Sequence, residues 1–259
     1  MKKVLTIAGS DCSGGAGIQA DLKTMTAHKV YGMSVITALT AQNTTGVYGV
    51  LDAGGEFVGK QMDCVFKDIY PDAVKIGMVS NIATIEVIAD KLKEYGAKNI
   101  VIDPVMVSTS GCALMSPDAM GTLITRLLPL GDIVTPNIPE AEKLCGFEIH
   151  SEEDMLRAAQ AISAHLSGSV LIKGGHLTQT ADDLLYHDGK SIWYRSPRVD
   201  TDNTHGTGCT LSSAIASNLA LGYSMEDSVK NAKAYITGAL GSGLNLGSGS
   251  GPLNHCFNL

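Results

Sequence analysis

The sequence predicts an α/β protein: a mostly parallel central sheet with helices packed on both faces. Three observations carry this expectation. Short apolar runs alternate with amphipathic stretches of helical length along nearly the whole chain, the pattern of strands linked by crossover helices. The strand-like runs are short and mostly apolar, and strands alternating with helices of this length imply a parallel sheet covered on both faces. Glycine is abundant, at 29 residues, which supplies tight turns and places where backbone can approach a ligand closely.

Taken in order, residues 4–8 read as a buried strand, followed by a glycine turn and a helix over 16–29. A second strand covers 33–40, and 56–70 is helical. Residues 73–76 form a strand, 82–95 a helix, and 99–103 a strand that ends at Pro104. A helix over 116–127 leads to a strand at 132–135. The helix at 151–166 opens with Ser151 as N-cap and acids in its first turn, the side chains that suit a helix N-terminus. Residues 169–173 form a strand, and 182–188 with 191–195 form a hairpin around Asp188-Gly189. Helices over 209–221 and 225–240 close the chain. The 259 residues are read as a single domain, 1–259. The glycine- and serine-rich segment 241–252 has the composition of a frayed end.

Composition narrows the function classes. Hydrophobic residues make up 44% and charged residues 17%, as in a compact globular protein. A formal net charge of −7 argues against nucleic-acid binding, which normally needs a basic surface. The six cysteines show no C-x-x-C pair, which indicates a reducing, cytoplasmic setting. The apolar run after Met1-Lys2-Lys3 is too short for a signal sequence, and no run is long enough to span a membrane.

Ligands of parallel sheets sit beyond the carboxyl ends of the strands, so the residues there hold the functional signals. The strongest is Asn203-Thr204-His205-Gly206-Thr207-Gly208-Cys209-Thr210, which opens an apolar helix. Glycines before a helix start leave backbone N–H groups open to an anion, and the helix dipole reinforces the site. The same field predicts a lowered pKa for the Cys209 thiol. An ordinary glycine turn with a small buried cysteine has the same local appearance. Gly54-Gly55-Glu56-Phe57-Val58-Gly59-Lys60-Gln61 nearly matches a phosphate-binding P-loop, but Gln61 lacks the hydroxyl that binds Mg²⁺; it reads as a helix entry. Gly15-Ala16-Gly17-Ile18-Gln19-Ala20 matches a dinucleotide fingerprint, yet the second strand ends without the acidic residue that would hold a ribose. Asp11, Gln42, Asp103, Asn137, Glu140 and Lys173 add carboxylates, amides and a cation along the same edge, the groups that Mg²⁺-dependent phosphoryl transfer uses. The histidines form no zinc-binding motif.

These segments resemble the hydroxymethylpyrimidine/phosphomethylpyrimidine kinases of thiamine biosynthesis, a branch of the ribokinase-like superfamily. The resemblance rests on Ala8-Gly9-Ser10-Asp11, Ser13 through Thr24, Ile102-Asp103-Pro104-Val105-Met106-Val107, Thr135-Pro136-Asn137 with Glu140-Ala141, Lys173-Gly174-Gly175-His176 and Thr204 through Thr210. Gly251-Pro252-Leu253-Asn254-His255 also fits, which replaces the frayed-end reading. The match extends from Val4 to His255. It implies a three-layer α/β/α fold and the following roles. Gly206, Thr207 and Gly208 form the anion hole, with Cys209 where related sugar kinases carry an aspartate base. Gln42 reads the aminopyrimidine through paired donor and acceptor groups, and Asp21, Met78 and Val107 line its pocket. Lys173, Asn137 and His205 serve the nucleotide, ATP, while Asp103 and Glu140 organise Mg²⁺.

The implied activity is phosphorylation of the small-molecule alcohol 4-amino-5-hydroxymethyl-2-methylpyrimidine, then of its monophosphate, by a homodimer. The sequence departs from the common pattern at Cys12, at Met25 and in the loop 108–112, which is expected to act as a lid. Related dual-specificity pyridoxal kinases carry a lid cysteine where this chain has Ser108, although Cys112 lies nearby. Pyridoxal kinase is therefore the alternative within the same fold. A dinucleotide-dependent redox enzyme and a ligand-binding regulator are the alternatives from other classes.

Overall fold

The computed structural model describes residues 1–107, 115–116, 118–175 and 181–259. The expected lid, with Ser108 and Cys112, and His176 lie outside the described residues. The elements are β1 (Lys3–Asp11), α1 (Gly17–Ala27), β2 (Tyr31–Asn43), β3 (Gly46–Asp52), α2 (Gly55–Asp68), β4 (Ala73–Ile76), α3 (Ile82–Tyr95), β5 (Ile100–Ile102), α4 (Ala119–Thr122), β6 (Ile133–Val134), α5 (Ile138–Cys145), α6 (Glu152–Ser163), β7 (Ser169–Ile172), β8 (Asp183–His187), β9 (Lys190–Tyr194), α7 (Thr207–Leu221) and α8 (Met225–Gly241). A π-helical segment, Leu123–Leu127, continues α4.

The sheet runs β3-β2-β1-β4-β5-β6-β7-β8-β9. Its centre, β2 through β7, is parallel, and β3, β8 and β9 are antiparallel. The α/β expectation therefore holds. Alternation along the strands sorts side chains to two faces. Leu5 and Ile7 of β1 and Val74 and Ile76 of β4 pack with α2 and α3. Val4 and Ala73 pack on the other face with α7 and α8. A third cluster joins Val170 and Ile172 of β7 to α5 and α6.

The sequence reading missed β3. This edge strand carries two glycines and exposes most of its side chains, so no apolar run marks it. The glycine-rich tail is not frayed. Leu253 and His255 are buried, His205 pairs with Pro252, and the His205 N–H donates to the Gly251 carbonyl at 3.0 Å. A Cβ at Gly249 would stand 2.1 Å from the Thr44 carbonyl oxygen, so the glycines allow close approach rather than disorder. The near-P-loop at 54–61 is the entry to α2. Among the described residues no helix is long and apolar enough to cross a membrane.

Candidate active site

The parallel strands bring their carboxyl ends to one edge, and the polar residues just beyond them meet there. Gly206 takes the left-handed conformation (φ 86°) and turns the chain into α7, whose start has no side-chain cap. A Cβ at Gly206 would lie 1.9 Å from the Gly15 carbonyl oxygen, and one at Gly15 would lie 2.3 Å from the His205 ring. The two glycine turns, 13–16 and 206–208, are thus pressed together and tolerate no side chain between them. On its other side, a Cβ at Gly208 would stand 3.1 Å from Asp103 Oδ2 and 3.3 Å from Lys173 Nζ. The uncapped helix start therefore faces Lys173 and Asp103, and open amides beside a cation suit an anion at a helix N-terminus. Thr207 holds the turn by donating its hydroxyl to the Thr204 carbonyl at 2.7 Å.

Lys173 Nζ donates to Asp103 Oδ1 at 2.7 Å, and the Thr135 hydroxyl donates to the same oxygen at 3.2 Å. Burial alone would depress the lysine, but Asp103 and Glu140 raise it above its ordinary value and keep it charged. Glu140 is buried, which raises its carboxyl, and Asp103 adds to that effect while Lys173 opposes it. Asn137 accepts from the Glu140 N–H at 2.9 Å and Glu140 accepts from the Asn137 N–H at 2.9 Å, a closed capping box at the start of α5. Asp103 and Glu140 thus stand close enough to feel each other, with Lys173 beside both. Among the described residues no group of three or more His, Cys, Asp or Glu side chains gathers. The two carboxylates suit a hard cation that keeps waters and phosphate oxygens as its other ligands.

Cys209 corrects an expectation. The helix dipole predicted a thiolate, but burial pushes the Cys209 thiol up to about 11. Lys75 and the Gly17 N–H favour the charged form, while the Asp21 and Asp103 carboxylates oppose it. Cys209 as a residue is half-buried, while its thiol is enclosed by protein. Desolvation outweighs the helix field.

Two further residues stand differently from the expectation. Asp21 is fully buried. Its carboxylate accepts from Thr6 Oγ1 at 2.6 Å, Ser213 Oγ at 2.7 Å and Lys75 Nζ at 2.9 and 3.0 Å. With every contact inside the protein, it supports the pocket from beneath rather than lining it. His205 is also buried and commits Nε2 to Asp11 Oδ2 at 2.9 Å, which leaves that nitrogen unavailable to a nucleotide. Asp11 gathers further donors from Ser13, Gly15 and Ala16. Burial raises its carboxyl, but His205, Ser13 and Ala16 together hold it at about 2.

The other residues expected to line the pocket stand at or beyond the ends of β2, β4 and β5. Gly9 sits in a bulge of β1, and a Cβ there would lie 3.0 Å from Met78 Sδ. Gln42 Nε2 donates to Thr40 Oγ1 at 2.7 Å, and Thr40 donates to the Ser10 carbonyl at 2.8 Å. Cys12 still anchors this strand end: its thiol donates to the Gln42 carbonyl at 3.2 Å. Val107, beyond β5, is 42% exposed.

Residues 11–254 match the family model for phosphomethylpyrimidine kinase. The chain belongs to the phosphomethylpyrimidine kinase family. It is 52% identical to the hydroxymethylpyrimidine/phosphomethylpyrimidine kinase of Rhizobium meliloti over 97% of this chain and 96% of the relative. It is also similar to the crystal structure of phosphomethylpyrimidine kinase from Clostridium difficile, with a TM-score of 0.83 and 51% identity over 92% of this chain and 98% of that one. An ADP complex of Bacillus subtilis pyridoxal kinase superposes with a TM-score of 0.91 at 38% identity, over 98% of this chain and 97% of that one. The chain is a kinase of the ribokinase-like fold. Because pyridoxal and pyrimidine kinases share this backbone so closely, the fold cannot separate the two substrates; only pocket side chains can.

Sequence reasoning missed Lys75, Ser213 and Thr40. Lys75 gave a signal of a kind, as the one charged residue in an otherwise apolar strand. Its partner Asp21 lies 54 residues away, and nothing local pointed to it.

Proposed function

We propose that this chain transfers the γ-phosphoryl group of ATP to the hydroxymethyl oxygen of 4-amino-5-hydroxymethyl-2-methylpyrimidine, and in a second transfer to the resulting monophosphate. The observation that carries this reading is the open start of α7 at Gly206–Gly208 against Lys173 and Asp103, on the strand-end edge that also holds Gln42. In each transfer an acceptor oxygen forms a bond to the γ-phosphorus as the bridging oxygen of ADP leaves. The α7 amides and Lys173 face the oxygens on which charge collects, and phosphoryl transfer rests mainly on such positioning and charge stabilisation. Asp103 and Glu140 would hold Mg²⁺ through water, where it would neutralise nucleotide phosphate charge. Asn137 has its Nδ2 group to offer the nucleotide, and Met78 and Val107 would flank the ring.

Gln42 supports the pyrimidine over pyridoxal. Thr40 takes one amide N–H, and the other N–H and Oε1 remain to pair with a ligand. That pair complements a ring nitrogen next to an exocyclic amine, and pyridoxal has no such amine. The working form is proposed to be a cytoplasmic homodimer. Leu39 and Leu51 on one face of the β2–β3 edge, and Tyr48 and Val50 on the other, are exposed apolar side chains of the kind a second copy covers.

A coupled ADP-release assay with the pyrimidine alcohol, its monophosphate, pyridoxal and ribose tests the reading. The pyrimidine alcohol is expected to give the highest kcat/KM, and equal or better efficiency with pyridoxal would overturn the assignment. Gln42→Leu should cost about 1–3 kcal/mol of discrimination between the two rings, the scale of one bidentate contact.

A further inference from the structure

Beneath the site lies a buried ion pair that the reaction as described does not use. Lys75 and Asp21 are both 0% exposed. They join four elements: Lys75 comes from β4, Asp21 from α1, Thr6 from β1 and Ser213 from α7. A buried ion pair is a poor way to stabilise a core, because desolvation offsets most of the attraction and apolar residues of like volume often serve as well. Its placement suggests another use. In α1, Gly17 and Asp21 are four residues apart, and in α7 so are Cys209 and Ser213. Each pair therefore shares one helical face, a turn apart. The Gly17 N–H stands near enough to the Cys209 sulfur to favour its charged form, and Ser213 Oγ donates to Asp21 Oδ1 at 2.7 Å. The two helices thus meet in a two-rung ladder whose upper rung is the active-site thiol. Lys75 grips the lower rung from the sheet through both carboxylate oxygens. Space for its ammonium comes from Gly77, where a Cβ would stand 2.7 Å from Nζ; Gly77 directly precedes the pocket residue Met78.

We propose that Lys75 is a positioning residue for phosphoryl transfer: by clamping Asp21 it fixes the α1–α7 ladder, and so sets where the Cys209 sulfur and the first-turn amides of α7 stand. The proposal rests on the kinase reading above, and its test separates the two. Ser213→Ala removes the lower rung and leaves the ion pair in place. Lys75→Met with Asp21→Asn removes both charges while keeping an acceptor at position 21 for Ser213, so that only the clamp is lost. For each variant, kcat on the pyrimidine alcohol should fall by about tenfold or more, since small displacements at a reacting centre carry losses of that order. The KM for ATP should stay within about threefold and the melting temperature within a few degrees, because neither change touches nucleotide or leaves an unpaired buried charge. Parental kcat in the folded double variant overturns the clamp. Should that variant fail to fold, Ser213→Ala decides, and parental kcat there overturns the ladder. A parent chain that does not phosphorylate the pyrimidine refutes the kinase substrate instead.

Discussion

Two helix starts lie side by side on the strand-end edge, and they are built in opposite ways. At α5 the chain supplies its own acceptors: Asn137 and Glu140 close a reciprocal capping box over the first amides. At α7 it supplies none. Gly206 turns the chain in a left-handed conformation, and no side chain covers the helix start. Every helix begins with N–H groups that have no partner within the helix, so the difference lies in who is left to satisfy them. The α5 start is sealed by its own side chains, while the α7 start is left uncapped. Glycine beside a helix dipole is thus informative for what it withholds. The neighbours agree: Lys173 and Asp103 face the open start through the space left by Gly208.

The largest expected effect comes from making α7 begin as α5 does. Gly206→Asn puts an amide cap at the open start. Asparagine tolerates left-handed backbone better than most residues, so the conformation alone is not prohibitive. Its Cβ, however, would fall 1.9 Å from the Gly15 carbonyl oxygen, forcing the two glycine turns apart. The kcat should drop by about 10²–10³-fold or more, the scale of losing one preorganised donor at a developing charge, with helical content unchanged by circular dichroism. Activity near the parent's would mean that the open start is not the phosphate site.

The next effect concerns the thiol that the open start carries. With its thiol pushed up to about 11 by burial, Cys209 is protonated at neutral pH. If the thiolate takes the proton of the pyrimidine alcohol, kcat/KM must rise with pH toward 11, by roughly tenfold per unit in the range where the parent stays folded. Cys209→Ala should flatten that rise and lower the alcohol reaction by about 10²-fold at alkaline pH, the lower end of what a general base contributes. The monophosphate, already anionic, should lose much less. Equal losses on both acceptors, or a parent profile without slope, would leave Cys209 as a wall of the hole rather than its base.

How much of this was legible in the sequence depends on range. The strand–helix alternation and the glycine turn before α7 are local, and reading them led directly to the sheet and its functional edge. The reciprocal cap Asn137–Glu140 is likewise local, a spacing of three residues. What failed was what depends on burial or on distant partners. The helix field at Cys209 can be read from position, but the burial that defeats it cannot, and the Asp21 and Asp103 carboxylates that add to it come from α1 and from just beyond β5. Lys75 stands out as a charge in an apolar strand, but its pairing with Asp21 appears only once β1 and β4 pair and bring α1 across them. His205 looked like a ligand residue because it adjoins the anion hole; only its approach to Asp11, 194 residues earlier, shows that it joins two loops. The tail was the reverse case. Its composition indicated disorder, and only contact with Thr44, His205 and Asn203 explains why glycine recurs there.

The smallest effect, and the sharpest test of the contrast, is at the sealed start. Asn137 has two possible jobs that use different atoms: Oδ1 caps α5 by accepting from the Glu140 N–H, while Nδ2 is the group proposed to reach the nucleotide. Two substitutions separate them. Asn137→Ala removes both and should cost about 1 kcal/mol of stability, as cap deletions do. Asn137→Asp keeps an acceptor of the same reach, and aspartate is as good an N-cap, so the melting temperature should stay near the parent's. It removes the donor, however, and places a negative charge near Glu140 and where nucleotide phosphates are to bind. The KM for ATP should therefore rise several-fold in both variants, and more in the aspartate variant, on the scale of a lost or reversed charge-assisted contact. If Asn137→Asp binds ATP as the parent does, Asn137 is only the seal on α5. The division between the two helix starts would then be complete, with one wholly structural and the other carrying the nucleotide alongside Lys173.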